Sequence, residues 1–509
     1  MKKLLKILTS RLLVIIALIA LQIALLFSWL WNTAIYYQVI PATEIFGVIL
    51  AIYVINQEED PSYKMSWCVL ILVLPLFGCM LYLLVAGRKM PKKLSNGTTQ
   101  ASSRMKNLLE QDDRIMQGLK EKDPAVHNIF NYALRESRFP VYQDTDAVYF
   151  PSGEKWFPVF LEELKKAKHF IFLEYFIIDK GSMWDETLTV LKQKAAEGVE
   201  VKLIYDDFGC ITLPLHYDRM LNEMGIETYR FNTLRPALLI QMNNRDHRKI
   251  CVIDNQVGFT GGVNLADEYG NRIRRFGYWR DDAIMIRGEA VWSMAVMFLG
   301  MFSYLKKDTD TMDYARYHLP NEAFHGQKGY FQPFSDTPKD EANVGLCMHL
   351  NLVQNAEDYI DINTPYLILN DAMKTSLCLA AEKGVKVRIL TPHIPDKKMV
   401  FAITRHNYTE LIRRGIEIYE YTPGFNHTKS IVADDRMAVV GSVNTDYRSY
   451  YLHFEDGILI YDSPEVIQIR ESFDEALKVS HQVTLEECRK TNLIVRMVRG
   501  VMNLMAPLF

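Results

Sequence analysis

The chain has 509 residues, enough for about two to four domains. With 49% hydrophobic and 23% charged residues it is a folded protein and not a disordered one. A net charge of −3 leaves no basic excess and argues against a nucleic-acid partner. The seven cysteines show no CxxC pair and no Cys/His spacing of the structural-zinc kind. Neither a disulfide framework nor a structural metal is expected, and the thiols read as reduced.

The first 90 residues differ from the rest. Leu12 to Trp31 is an uncharged, mostly apolar run of the ~20 residues that span a bilayer. Met65 to Ala86 is a second such run, and Ile45 to Ile55, between them, is apolar but short. Lys2, Lys3 and Lys6 precede the first run as in a signal peptide. That run is too long for a signal core, and further apolar segments come after it. Residues 1–90 are therefore expected to be a retained anchor of two or three hydrophobic helices in the cell membrane. Basic residues flank both ends (Lys2, Lys3, Lys6, Arg11 and Arg88, Lys89, Lys92, Lys93) around the acidic Glu58-Glu59-Asp60. Two crossings would put both ends and the catalytic domain on the cytoplasmic face, and a third would reverse it.

Residues 91–140 are polar and read as a connector, with Asn107–Asp123 as a polar helix. The chain beyond residue 140 is duplicated. Ala167–Leu173 matches Ala356–Ile362, Ala195–Ile204 matches Ala380–Ile389, and Gly225–Tyr229 matches Gly415–Tyr419. The halves are placed at 141–305 and 346–485, with an excursion at 306–345 and a tail at 486–509. In the first half Phe170–Ile178 and Val199–Ile204 are strand-like and Glu186–Ala196 is helical. That order is βαβ and predicts, in each half, a mainly parallel or mixed sheet flanked by helices.

Each half carries one copy of H-x-K-x4-D, as His247-x-Lys249-x4-Asp254 and His427-x-Lys429-x4-Asp434. An asparagine stands 17 residues after each histidine, in Gly261-Gly262-Val263-Asn264 and Gly441-Ser442-Val443-Asn444. At i, i+2 on a strand, histidine and lysine leave the same face. Two imidazoles and two ammonium groups converging on one point suit chemistry on a phosphodiester. One histidine attacks phosphorus, the other protonates the leaving alcohol and then deprotonates the incoming one, and the lysines neutralise the phosphoryl oxygens. Each histidine needs an acceptor on its second nitrogen. Asp281 and Glu455, each just before a strand-like run, occupy matching places.

The competing readings are plainer. A lone H-x-K-x4-D is most often structural, and it is the doubling that favours catalysis. Lysines beside both histidines would repel a cation, so no metal is expected. Asp254 and Asp434 fall where strands turn and can serve the fold as much as the chemistry. Asn264, Asn444 and Ser442 are candidates for binding or orienting the phosphate, while the Gly-Gly and Gly-Ser pairs also read as plain turn residues. The tail from Thr491 to Phe509 has apolar residues at helical spacing, with Arg489, Lys490, Arg496 and Arg499 among them. It reads either as a helix on the bilayer or as one packed on the protein.

The doubled motif, with Trp279-Arg280-Asp281, Thr364-Pro365-Tyr366 and Asn444-Thr445-Asp446-Tyr447-Arg448, resembles the phospholipase D superfamily, and within it the bacterial cardiolipin synthases. The resemblance covers nearly the whole chain. It implies tandem phospholipase D-like α/β repeats behind a membrane anchor. The implied reaction transfers a phosphatidyl group between two phosphatidylglycerols, without cofactor, giving cardiolipin and glycerol. It also implies His247 as nucleophile and His427 as proton donor, which the residues alone leave open. His453-Phe454 before Glu455 departs from the Asn-based sequence expected there. A hydrolase or nuclease of the same superfamily, and an inactive membrane scaffold, are the alternatives. The intact pairs His247/Lys249 and His427/Lys429 weigh against the scaffold.

Overall fold

A computed structural model of the chain describes residues 33–85, 92–233, 244–307, 313–321, 324–338 and 342–508, together with positions 20 and 24. The first half holds β1 (Asp146–Phe150), β2 (Phe170–Tyr175), β3 (Glu200–Asp206), β4 (Ile226–Phe231), β5 (Arg245–Asp246), β6 (Lys249–Ile253), β7 (Val257–Gly261), β8 (Tyr278–Arg280) and β9 (Ala283–Arg287). Seven of them form one sheet in the order β1-β9-β7-β6-β2-β3-β4. β2, β3 and β4 run parallel, as helix-linked strands must, while β6, β7, β9 and β1 are antiparallel. The sheet is mixed.

The second half repeats this plan with β10 (Tyr330–Asp336), β11 (Tyr359–Asn363), β12 (Lys386–Pro392), β13 (Glu417–Tyr421), β14 (Gly424–Asn426), β15 (Ile431–Ala433), β16 (Met437–Gly441), β17 (His453–Tyr461) and β18 (Ser480–Gln482). Its order is β10-β17-β16-β15-β11-β12-β13-β18. β10 falls in the segment 306–345 expected to be an excursion. It is the second half's counterpart of β1, pairing antiparallel with β17 as β1 does with β9. Pro333 hides it in the sequence, and an edge strand tolerates a proline because one side of it needs no ladder.

The sheets share one core. Ile250, Val252, Ile284 and Ile286 of the first meet Val432, Val440, Ile458 and Ile460 of the second. The alternate residues Cys251, Ile253 and Phe259 point the other way, into a helix-covered layer with Trp156, Phe160 and Trp184. Each half is therefore sheet against sheet on one side and sheet against helix on the other.

The connector at 91–140 is part of this body. It forms the helices Lys92–Lys106, Asp113–Lys122 and Pro124–Ser137. Its few apolar residues, among them Leu94, Met105, Leu119, Ile129 and Phe130, are buried in the two cores while its many polar ones face out. Composition averages over both faces and so concealed the packing.

The anchor expectation changes too. The run Leu12–Trp31 lies outside the described residues apart from positions 20 and 24. Ile45–Ile55 ends the helix Thr33–Ile55, and Met65–Ala86 is broken into Pro61–Val73 and Pro75–Val85. Pro75 lacks the N–H that would continue the first of these, and Leu74 leaves helical geometry. Among the described residues no helix is long and apolar enough to cross a membrane. These helices are fastened near the motif of the second half. Asp60 caps Pro61–Val73 and accepts from the Tyr447 and Tyr451 hydroxyls at 3.4 Å each.

Candidate active site

The two histidine motifs meet where the sheets cross. β5, just before His247, pairs in parallel with the start of β17, matching Arg245 with His453 and Asp246 with Phe454. β14, just before His427, pairs in parallel with β8, matching Asn426 with Arg280. The His247 N–H then donates to the Phe454 carbonyl at 2.9 Å, and the His427 N–H to the Arg280 carbonyl at 2.7 Å. These ladders carry each acid to the histidine of the opposite half. His247 Nδ1 lies 2.9 Å from Glu455 Oε2, and His427 Nδ1 lies 2.6 Å from Asp281 Oδ2. With a carboxylate on Nδ1 of His247, that nitrogen carries the proton and Nε2 keeps its lone pair, while Nδ1 of His427 is shared between Asp281 and Lys429 Nζ, the latter at 2.8 Å.

The two acids, left unassigned by their matching places in the sequence, are thus exchanged between the halves. Arg280 reinforces the exchange, since the first-half guanidinium donates to Asn363, Asn426, Thr428 and Ser472 of the second. Lys249 Nζ and Lys429 Nζ each donate to the carbonyl of the histidine two residues before.

Ser442 Oγ donates to Glu455 Oε2 at 2.5 Å and accepts the Asp456 N–H at 3.0 Å, so it holds the acid. Its counterpart Gly262 has no room for a side chain. A Cβ there would stand 1.9 Å from Asp281 Oδ1. The difference between G-G-x-N and G-S-x-N comes from how each acid is seated.

Other expected site residues are used elsewhere. Asn264 Oδ1 accepts the Ile177 N–H at 3.0 Å and its amide donates to the Tyr269 hydroxyl at 2.8 Å, which commits it to the fold. The Asn444 N–H donates to the Ser449 hydroxyl, and its buried Oδ1 has no hydrogen-bond partner among the described residues. Asp254 and Asp434, expected among the catalytic residues, stand at the far ends of their strands, roughly 20 Å along the chain from the histidines at ~3.3 Å per residue. Each carboxylate accepts three successive backbone N–H groups. For Asp254 these are Lys168, His169 and Phe170 at 2.6–2.8 Å, and for Asp434 they are Glu357, Asp358 and Tyr359 at 2.8–2.9 Å. The aspartate of each motif therefore pins the start of a strand inside its sheet, and it does so from a left-handed turn (φ 53° at Asp254, 57° at Asp434).

The site is buried and its charges are mutually dependent. Burial drives both His247 and His427 well below the usual imidazole value. Glu455 opposes this at His247, and Lys429 adds to it at His427. Both rings are neutral near pH 7 until an anionic phosphate enters. Burial pushes the Glu455 carboxyl up, but the charges and hydrogen bonds of His247 and His453 outweigh it and hold the group well below the carboxylate range. Burial raises Asp281 to about 6 against the pull of Lys429. Burial lowers the Lys249 ammonium to about 7, with Glu455 opposing and Lys429 adding its like charge.

A pH dependence results. An ammonium with a lowered pKa is charged below that value and loses its charge above it. The kcat/KM for an anionic phosphodiester lipid should fall as pH rises through about 7, since that parameter reports the free enzyme. Lys249→Arg keeps its charge and should lose this alkaline limb. Profiles of both proteins from about pH 6 to about pH 9 check it, and a flat wild-type profile would contradict it.

Sequence reasoning missed the residues that shape each ring's surroundings. Tyr269, Trp279 and Phe425 surround His427 at ring-centre distances of 5.4, 5.1 and 5.7 Å. His247 lies between Phe176 at 4.9 Å and His453 at 5.4 Å. Trp279 and His453 stood beside the proposed acids, but nothing in one sequence tells a packing ring from a shielding one. His247, His453 and Glu455 also form the one grouping among the described residues spaced so as to be able to hold a metal ion.

The paired geometry agrees with the comparisons. The family profile described as cardiolipin synthase, PLD-like domain, matches residues 160–272 and 350–477, one stretch in each half. A phospholipase D-nuclease N-terminal profile matches residues 45–87. Cardiolipin synthase 2 of Bacillus anthracis is 32% identical over 458 residues, covering 89% of this chain and 88% of that one. The chain belongs to the cardiolipin synthase family of the phospholipase D superfamily. It is thereby a transferase. Within the family, the cardiolipin synthase of Geobacillus sp. is 32% identical across 91% of this chain and 92% of its own. An uncharacterised protein of Streptococcus mutans is 42% identical across 90% of this chain and 99% of its own. The crystal structure of phosphatidylserine synthase from Haemophilus influenzae superposes with a TM-score of 0.56 at 13% identity, over 75% of this chain and all of that one, a likeness of fold.

Proposed function

We propose that the chain makes cardiolipin from two phosphatidylglycerol molecules through a covalent phosphohistidine. The observation that carries this reading is the crossed pair of carboxylate–histidine contacts, Glu455 to His247 and Asp281 to His427, with a lysine beside each ring. His247 Nε2 attacks the first phosphatidylglycerol at phosphorus, and the bond to glycerol breaks as His427 delivers a proton to the leaving oxygen. His427 then takes the proton of the second lipid's terminal hydroxyl. That oxygen attacks phosphorus, the N–P bond breaks, and cardiolipin leaves. Lys249 and Lys429 neutralise the non-bridging oxygens throughout.

Two observations support this division of labour. Glu455 is held fully ionised, which favours the positive charge a phosphorylated imidazole carries. The aromatic rings packed around His427, at 5.4 and 5.1 Å, favour a ring that must become imidazolium. The scheme balances without a metal, and the family resemblance implies no cofactor.

Attachment to the bilayer would keep both lipids at the site. The outward residues Ile45, Ile49, Ile52, Met65, Leu72 and Val73 are more than half exposed, and such a patch fits a membrane surface. The basic flanks of the N-terminal segment favour the cytoplasmic face of the cell membrane. A site shielded by lipid would let a lipid hydroxyl outcompete water for the phosphohistidine.

The test is direct. Purified protein, His247→Ala and His427→Ala are incubated with phosphatidylglycerol and the lipids are resolved. Cardiolipin and glycerol from the wild type alone are the expected products. Phosphatidic acid alone would make the protein a hydrolase, and unchanged lipid a scaffold.

A further inference from the structure

The last helix, Leu493–Met505, presents its apolar side to the outside. Leu493, Ile494, Met497 and Val501 are 67%, 70%, 65% and 63% exposed. At 3.6 residues per turn they fall within about 100° of one another, while Arg496 and Arg499 lie on the other side of the helix. Arg499 is the side chain turned to the protein, half-buried beside Arg405. A methyl group on Gly500 would stand 3.8 Å from the His406 ring, in the helix Lys398–Arg413. Of the two readings of the tail, this orientation favours the helix on a lipid surface. A helix packed for its own protein's sake would bury the side that here faces out.

Between those two helices lies a cavity of about 850 Å³. Lys374, Arg405, Arg413, Arg414, Arg496 and Arg499 line it, with Glu410 as the one carboxylate of its lining. Three of the cations are paired, Lys374 with Glu410 at 3.3 Å, Arg405 with Glu420 at 2.6 Å and Arg414 with Glu382 at 2.5 Å. Arg413, Arg496 and Arg499 have no salt bridge among the described residues. Burial and then the like charge of Arg405 pull the Arg499 guanidinium down. Burial, Lys374 and Arg499 do the same to His406. A concave surface of one sign concentrates the opposite one.

We propose that this cavity holds the phosphate of an anionic phospholipid whose acyl chains lie along the outward face of Leu493–Met505. The cations alone would suit any phosphate. The apolar face selects the lipid, because a free anion would leave that face in water. The face also continues onto the N-terminal helices, where Ser66 Oγ donates to the Leu504 carbonyl and Met65 is 54% exposed. No residue of the cavity is among those around His247 or His427, so this is a second lipid site. It stands whatever reaction the histidines catalyse.

The full chain carrying His247→Ala, which stops turnover, is titrated in detergent with dihexanoyl phosphatidylglycerol. Two saturable sites are expected. Arg413→Gln/Arg496→Gln/Arg499→Gln should weaken one of them at least tenfold and leave the other unchanged. Arg489→Gln/Lys490→Gln, which removes cations outside the cavity, should change neither. Should the triple variant melt early, the exposed Arg496→Gln alone is used, with a loss of about threefold expected. Unchanged binding by the cavity variants, an equal loss in the control, or displacement by inorganic phosphate at the lipid's own concentration would each overturn the proposal. Cardiolipin formation by the wild type is assayed separately, so failure here does not touch the reaction, nor the reverse.

Discussion

His247→Ala and His427→Ala are each expected to lower kcat for phosphatidyl transfer by about 10⁴-fold or more, and the double variant should be little slower than either single one, as for groups that act as a unit. The two should differ with a lipid whose leaving group needs no proton, such as phosphatidyl-p-nitrophenol. His427→Ala should then release a burst of nitrophenol and trap a phosphatidyl-enzyme, whereas His247→Ala should release none. A burst from His247→Ala would exchange the two roles. Glu455→Gln should cost about 10²–10⁴-fold in kcat, because an amide leaves the His247 ring without a fixed tautomer or a compensating charge. Since Glu455 belongs to the other half, that loss in the nucleophilic step would also test the crossed arrangement.

Asp254→Ala and Asp434→Ala should do the opposite, harming the fold and sparing the chemistry. Each substitution strands three backbone N–H groups at the start of a central strand. At ~1–3 kcal/mol for each unsatisfied group, partly recovered by water at the exposed end, the expected cost is about 3–5 kcal/mol. A fall in Tm of roughly 10 °C or more should accompany it. The kcat of the fraction that stays folded, measured well below the new Tm, should remain within about threefold of wild type. A normal Tm with lost activity would return these aspartates to the reacting centre. Asn substitution, which retains one acceptor oxygen, should be milder.

Much of this was legible in the sequence because the chemistry demands residue types that cannot be exchanged. A doubled His-x-Lys with matched acids downstream announced the paired site, and alternation of strand and helix announced the sheets. The exchange of acids was not legible. Asp281 and Glu455 stand at matching places in both halves, and a symmetric sequence reads the same whether partners are local or crossed. Only the short ladders β5–β17 and β14–β8 decide it, and strands of two or three residues leave no periodicity. The edge strand β10 was lost behind Pro333, and the helices of 92–137 behind their polar majority. The orientation of the last helix was equally hidden, because periodicity gives the apolar face of a helix but not the direction in which it points.

The crossed contacts bear on how the protein comes to be made. The first half leaves the ribosome with His247 complete in sequence but without its carboxylate, which arrives only near the end of the chain at Glu455. Until then the nascent segment holds an imidazole with no carboxylate to orient it. His427, for its part, meets Asp281 only once the two sheets have docked. Each half alone lacks the carboxylate that orients its histidine, so activity should begin only when assembly is complete.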